Sequence, residues 1–132
     1  MTTTTLTAED RLEIHELVSL HGHLADDRRH GDLHLLMTED GVYDLEEFGM
    51  GEVVGLPALT ELFESAPGDQ PLGHHVTNVL VTPHASDSDT ASVRSKGLSV
   101  MANGAAGTVV YEDTVVRTPA GWRIARRRVM RR

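Results

Sequence analysis

The sequence predicts an α+β fold in which N-terminal helices pack on a curved, mostly antiparallel sheet. Three observations predict it: apolar residues recur at helical spacing near the start, four β-type segments fill the second half, and tight-turn signals separate those segments. Helices followed by a run of strands indicate α+β rather than a parallel α/β fold. At 132 residues the chain fits one domain, 1–132, with a flexible start over residues 1–6.

The first helix is predicted to begin after Thr7, which suits an N-cap because an acid, Asp10, follows three residues later. One stripe of this helix is apolar except for a single histidine: Ile14, Leu17, Val18, His21 and Ala25. Gly31 is expected to end the helix, and a short second helix is expected over Asp32–Met37.

The remaining elements follow from strand patterns and turn chemistry. Val42–Leu45 is typical of a strand, and Pro57 suits the first turn of a third helix, Ala58–Ser65. Asn103-Gly104 and Pro119-Ala120-Gly121 are typical of tight turns between strands. Four long strands are expected over Gly73–Thr82, Thr90–Met101, Gly107–Arg117 and Trp122–Met130.

Composition and charge exclude several classes of function. Lys plus Arg number 12 against 20 Asp plus Glu, a net charge of −8 that argues against nucleic acid as a partner. The basic cluster of Arg126–Arg128 with Arg131 and Arg132 is expected to be a solvated strand edge or tail. Cysteine is absent, which excludes disulfides and thiolate chemistry, and no apolar run is long enough to span a membrane. A soluble, cytoplasmic protein is expected.

The doublet His74-His75 lies on the first long predicted strand. Because side chains alternate between the two faces of a strand, His74, Val76 and Asn78 are expected to share one face and His75 the other. One histidine should therefore point into the concave face of the sheet. A neutral imidazole in an apolar pocket is a good general base when a carboxylate fixes its tautomer. The alternative is a pair of structural histidines.

A second doublet, Asp26-Asp27, lies near the end of the first predicted helix. Adjacent helical residues point about 100° apart, so at most one of these aspartates can face a pocket. The other is expected to pair with Arg28 or Arg29 in solvent. A charged helix end without further function is the alternative.

Metal and nucleophile chemistry have weak support. His30 and His34 have the four-residue spacing of a zinc pair, but Gly31 makes an unbroken helix doubtful between them. No His-Glu-x-x-His pattern occurs, and no serine stands in a Gly-x-Ser-x-Gly setting. We therefore expect no metal and no cofactor.

The order of elements, together with four segments, resembles the SnoaL-like family of the nuclear-transport-factor-2-like (NTF2-like) superfamily. The similarity runs from Leu6 to about Met130 and is nearest to the branch that holds scytalone dehydratase, hexachlorocyclohexane dehydrochlorinase and bile-acid 7α-dehydratase. It implies an NTF2-like cone with an internal pocket. The segments that carry the resemblance are Leu35–Tyr43, His74–Asn78, Tyr111–Asp113 and Gly121–Ile124.

In that branch an aspartate late in helix one pairs with a histidine on the first long strand, and the resemblance selects Asp26 and His74 for these roles. The helix-one tyrosine of the bile-acid enzyme falls on His21, which could supply a proton or a hydrogen bond. The tyrosine, asparagine and second histidine of the scytalone enzyme have no identical counterparts, which argues against that particular reaction. The residues expected to bind substrate are Tyr43, Asn78, Met101 and Tyr111.

The resemblance predicts a cofactor-free lyase that eliminates water or another β-leaving group from a small hydrophobic substrate. His74 would abstract the proton, Asp26 would orient it, and His21 or Tyr111 would assist the leaving group. The alternatives are a ketosteroid-isomerase-like isomerase or polyketide cyclase, a non-catalytic binding domain, and the small subunit of a ring-hydroxylating dioxygenase. Related enzymes imply a homo-oligomer, with a trimer favoured over a dimer.

Overall fold

The computed structural model describes residues 5–132, which form two α-helices and six strands joined by two short 3-10 helices. Neither α-helix of this part of the chain has the length and apolarity that a membrane crossing needs. The 3-10 helices cover His30–Leu35 and Glu46–Phe48. The other elements are α1 (Ala8–Asp26), β1 (Met37–Leu45), β2 (Gly51–Val54), α2 (Leu56–Glu64), β3 (Gly73–His84), β4 (Asp87–Val100), β5 (Ala106–Thr118) and β6 (Gly121–Arg131).

The six strands form one sheet in the order β2-β1-β6-β5-β4-β3. Only β1 and β6 run parallel, and the other neighbouring pairs are antiparallel. The sheet is curved and unclosed, and the helices pack on it. The predicted α+β architecture is therefore confirmed.

The helix α1 is held on the sheet by its apolar stripe. Ile14 and Val18 are fully buried and share one core with Val93, Val115 and Ile124 of the sheet. Burying an aliphatic side chain of this size stabilises the fold by about 1.5–3 kcal/mol. The stripe therefore fixes where the rest of α1, including its C-terminal turn, meets the sheet.

The start of α1 follows the prediction. Thr7 Oγ1 accepts a hydrogen bond from the Asp10 backbone N–H at 3.0 Å, and the Thr7 N–H donates to Asp10 Oδ2 at 3.1 Å, which forms a capping box. Of the predicted flexible start, residues 1–4 lie outside the described part of the chain. For Leu6 that prediction is wrong, because its side chain is buried in the core.

The end of α1 differs from the prediction. The helix ends at Asp26, and Arg28 takes a left-handed backbone conformation with φ of 54°. Gly31 lies inside the following 3-10 helix instead of ending α1, and Met37 begins β1. Local backbone hydrogen bonds at Arg28, rather than a glycine, turn the chain.

The predicted long strands are confirmed, with ends that differ by at most three residues. The short strand β2 was not predicted, because its Gly51–Val54 segment follows a stretch rich in glycine. A bulge in β3 corrects a further expectation: Asn78 has φ of 56°, and the register shifts between Thr77 and Leu80. Asn78 is exposed and does not share the face of His74, because the bulge inverts the alternation.

Candidate active site

A cavity of about 550 Å³ lies between the C-terminal half of α1, α2 and the concave face of the sheet. Its volume is in the range of small-molecule sites. His21, Tyr43 and Tyr111 form buried parts of its wall, whereas the apolar side chains of Phe48 and Met50 are partly exposed at its mouth. The cavity therefore combines partly exposed apolar side chains with polar groups on its buried wall.

Asp26, the last residue of α1, is hydrogen-bonded to both the ring and the backbone N–H of His74 near the start of β3. His74 Nδ1 lies 2.7 Å from Asp26 Oδ1, and the His74 backbone N–H donates to Oδ1 and Oδ2 at 3.0 and 3.1 Å. The carboxylate favours the tautomer that carries its proton on Nδ1, which leaves the Nε2 lone pair free. Both side chains line the cavity, with 25% and 27% of their surfaces exposed.

The two doublets of the sequence thus resolve into one close pair. The structure brings Asp26 and His74 together, while Asp27 is exposed and outside the cavity lining. His75 is exposed as well but also borders the cavity, so the expectation that only one histidine of the doublet reaches it is wrong. Gly22 permits the contact, because a Cβ atom at this position would overlap the backbone carbonyl oxygen of His74. The catalytic role of the pair stays a prediction.

His21 lies beside this pair and is buried. Its ring packs edge-on against His74 at 5.9 Å between centroids and lies 5.7 Å from the ring of Tyr111. Burial above all, followed by the positive charge of Arg127 and by electrostatic interaction with His74, holds the pKa of His21 well below its ordinary value. His21 is therefore uncharged at neutral pH and offers a hydrogen bond rather than a positive charge.

Two buried tyrosines complete the wall of the cavity. Burial raises the pKa of both Tyr43 and Tyr111, so the phenols remain protonated and can donate hydrogen bonds. Tyr43 packs edge-on against Phe63 with 5.6 Å between centroids. Tyr111 covers Gly97, where a Cβ atom would lie 2.6 Å from its Cε2 atom. Glycine at this position therefore makes room for the Tyr111 ring.

An ion pair between Arg127 and Asp113 lies beneath the tyrosines. Arg127 Nε and Nη2 each donate to Asp113 at 2.8 Å, and neither side chain is exposed. The Arg127 guanidinium lies 4.2 Å from the centroid of the Tyr111 ring. The register also places Arg127 beside Tyr43 on the parallel strand β1. The ion pair therefore forms part of the surface against which the side chains of Tyr43 and Tyr111 pack.

The prediction of solvated C-terminal arginines is therefore wrong for Arg127. The side chains of its two neighbours are exposed. Arg126 pairs with Asp44 and Glu52, and Arg128 pairs with Glu47. A register shift in the β5–β6 pair inverts the alternation just before Arg127. The sequence did contain one indication of a buried charge. Asp113 lies two residues from both Tyr111 and Val115 on β5, so it shares a strand face with apolar side chains.

Two residues predicted to bind substrate do not line the cavity. Asn78 is exposed at the bulge of β3, as described above. Met101 lies in the turn after β4, where its N–H donates to the Ala105 carbonyl oxygen at 2.8 Å. Of the four predicted substrate-binding residues, the structure brings Tyr43 and Tyr111 to the site.

The candidate metal ligands His30 and His34 lie in a 3-10 helix. With three residues per turn, a four-residue spacing does not place two side chains on one face. Within residues 5–132 no three side chains of His, Asp or Glu cluster as metal ligands do.

A family model described as a SnoaL-like domain matches residues 6–128. Three similar solved structures come from Novosphingobium aromaticivorans. An NTF2-like protein with a cystatin-like fold is 32% identical, with a TM-score of 0.75 over 92% of this chain and 80% of that chain. A protein provisionally named an aromatic ring hydroxylase is also 32% identical, with a TM-score of 0.75 over 94% and 90%. A third, provisionally named a scytalone dehydratase, is 20% identical with a TM-score of 0.72 over 93% and 87%, which concerns the fold alone.

Proposed function

Because this chain belongs to the SnoaL-like domain family, we propose that it is a cofactor-free lyase that removes water or another β-leaving group from a small hydrophobic substrate. One observation carries the proposal: the Asp26 carboxylate accepts hydrogen bonds from His74 at the wall of a cavity of about 550 Å³. The fold hosts many chemistries, so the reaction is argued from this site rather than from the family.

In the proposed reaction His74 Nε2 takes a proton from a carbon next to a carbonyl group. The electron pair of that C–H bond forms the new C=C bond, and the leaving group departs from the β-carbon with its own bonding pair. Asp26 holds the tautomer and stabilises the imidazolium by charge. The proton is then passed to the departing hydroxide, which leaves as water. General base catalysis of this kind contributes roughly 10²- to 10⁴-fold.

The neutral groups of the cavity wall are proposed to assist. His21 and the phenols of Tyr43 and Tyr111 are all uncharged at neutral pH and line the same cavity. Hydrogen-bond donors held in place before the reaction stabilise negative charge as it develops on a substrate oxygen. We assign them to the carbonyl oxygen or to the leaving group.

The same base also supports isomerisation or aldol cyclisation of a ketone, in which the enolate is reprotonated or attacks a carbonyl carbon. These reactions form the second candidate. The non-catalytic binding domain is less well supported, because Asp26 and His74 lie within hydrogen-bond distance beside the cavity.

Exchange of substrate protons for deuterium tests the base directly. Incubated in D₂O with a panel of apolar β-hydroxy ketones and thioesters, the wild-type protein should exchange the α-proton, as measured by NMR. Asp26→Asn should slow exchange by about 10²-fold or more, whereas Asp27→Asn, at the exposed residue just after the helix, should match the wild type. Full activity of Asp26→Asn would reject the assignment. Loss of the leaving group, measured by mass spectrometry, separates the lyase from the isomerase and the cyclase.

The partners of the chain are part of the same proposal. The ligand is taken to be a small hydrophobic molecule, because Phe48, Met50 and Leu98 line the mouth of the cavity. A homo-oligomer, with a trimer favoured over a dimer, remains a prediction from the family. Light scattering of the purified protein would give its mass in solution.

A further inference from the structure

Arg28 lines the cavity and makes no ion pair within residues 5–132. Asp27, which was expected to pair with Arg28 or Arg29, makes no ion pair within the described residues, but it does not line the cavity. Other charges nearby are paired. Asp26 is bonded to His74, Arg29 pairs with Asp32 at 2.9 Å, and the buried Arg127 pairs with Asp113. Of the two lining residues that are Asp, Glu, Lys or Arg, Asp26 is therefore paired and Arg28 is not, on a chain with a net charge of −8.

The backbone at Arg28 points to a role for its side chain. The Arg28 N–H donates to the Ala25 carbonyl oxygen at 3.2 Å, and the Arg29 N–H donates to that of Leu24 at 2.8 Å. This is the Schellman motif, in which the residue with left-handed backbone is usually glycine. Arg28 takes that conformation with φ of 54°, which costs free energy that a glycine would not lose.

The helix dipole does not explain this choice. A cation near the C-terminus of α1 is favourable, but Arg29 already supplies one at the next position. The position that costs backbone energy, Arg28, is the one that lines the cavity, whereas Arg29 does not.

We infer that the cavity selects an apolar molecule that carries a carboxylate, with Arg28 as its counter-ion at the mouth. The apolar body would pack against Phe48, Met50 and Leu98, which are 42%, 52% and 40% exposed. The reacting end of such a ligand would lie among the neutral side chains of His21, Tyr43 and Tyr111 and would itself be uncharged. The inference rests on the proposed function only in requiring that the cavity binds a small apolar molecule.

A matched pair of probes tests it. Calorimetric titration should show that the wild type binds 2-naphthoate about three- to tenfold more tightly than 2-naphthamide. This preference should decline as salt is added, because the pair is partly exposed. Arg28→Gln should bind both probes equally and Arg28→Lys should retain part of the preference. Arg29→Gln, which removes an arginine already paired with Asp32, should behave as the wild type.

Arg28→Gly separates recognition from structure. It should raise Tm by roughly 2–6 °C, since glycine favours the left-handed conformation, yet lose the preference for the carboxylate. A lower Tm with an unchanged preference would assign Arg28 to the helix end and overturn the inference. Equal binding of both probes by the wild type, or binding of neither, would also overturn it. Asp26→Asn should lose turnover but keep the preference for 2-naphthoate over 2-naphthamide. A failure of the proposed reaction can therefore be distinguished from a failure of anion recognition.

Discussion

Gly22 of α1 lies directly against the backbone carbonyl of His74 on β3, and a Cβ atom there would overlap that oxygen. Asp26 follows one turn later on the same side of the helix, which brings its carboxylate to the ring and N–H of His74. The close approach of helix and strand at one glycine therefore sets the distance within the candidate catalytic pair.

Gly22→Ala should separate the helix from the strand. Alanine normally stabilises a helix interior, but here the clash with backbone should cost about 1–3 kcal/mol in the free energy of unfolding, measured by urea denaturation. The α-proton exchange proposed above should fall with it. Gly31→Ala is the control, because nothing lies within 4 Å of a Cβ atom there. A Gly22→Ala protein as stable as the wild type would contradict the close packing.

His21 should make the stability depend on pH. Its pKa is lowered in the folded protein from the ordinary value of 6.5, first by burial. The unfolded chain therefore binds a proton at a higher pH than the folded chain does. This contribution to stability is complete above about pH 6.5 and is lost as the pH falls from there toward the folded pKa.

Urea denaturation at a series of pH values should therefore show a smaller decline in the free energy of unfolding below about pH 6.5 for His21→Phe than for the wild type. His23→Gln, which changes an exposed histidine of the same helix, should follow the wild-type curve. Parallel curves for the wild type and His21→Phe would show that His21 is not the group responsible.

Breaking the buried ion pair between Arg127 and Asp113 should strongly lower the free energy of unfolding. Asp113→Leu leaves the Arg127 guanidinium without its partner in the core, and Arg127→Met does the same to the Asp113 carboxylate, so each change should lower the free energy of unfolding by about 3–5 kcal/mol. The double variant Asp113→Leu with Arg127→Met should recover much of that loss, because it leaves no isolated charge. Thermal and urea denaturation of the four proteins measure this cycle. Additive losses would show that the two side chains act independently.

The sequence predicted the structure correctly where the spacing of apolar residues along the chain is regular. The apolar stripe of α1 and the Thr7–Asp10 cap fixed the first helix, and the family membership predicted from the segment patterns is confirmed. Alternation failed at Asn78 and before Arg127, where bulges invert the faces of β3 and β6. These bulges depend on strand pairing far along the chain, which a local pattern does not contain. The choice of Asp26 over Asp27 likewise came from the family resemblance rather than from local chemistry.

Asp10 should anchor the start of α1 in a pH-dependent way. Its carboxylate accepts hydrogen bonds from Arg117 at 2.8 Å, from the Thr7 N–H at 3.1 Å and from Trp122 Nε1 at 3.3 Å. The Arg117 bond above all holds the pKa of Asp10 well below its ordinary value of 3.8. The stabilisation is therefore complete above about pH 4 and is lost as the pH falls through the folded pKa.

Asp10→Asn should lower the free energy of unfolding by roughly 1–2 kcal/mol at neutral pH, because it weakens both the cap and the ion pair. The difference from the wild type should shrink in acid, where the wild-type carboxyl is also protonated. Asp89 provides the control: it bonds the same Arg117 at 2.9 Å but is 65% exposed, so Asp89→Asn should cost less than about 0.5 kcal/mol. Urea denaturation at neutral and acidic pH measures both variants. Equal losses for the two would place the stabilisation in the charge of Arg117 rather than in the hydrogen-bond network around Asp10.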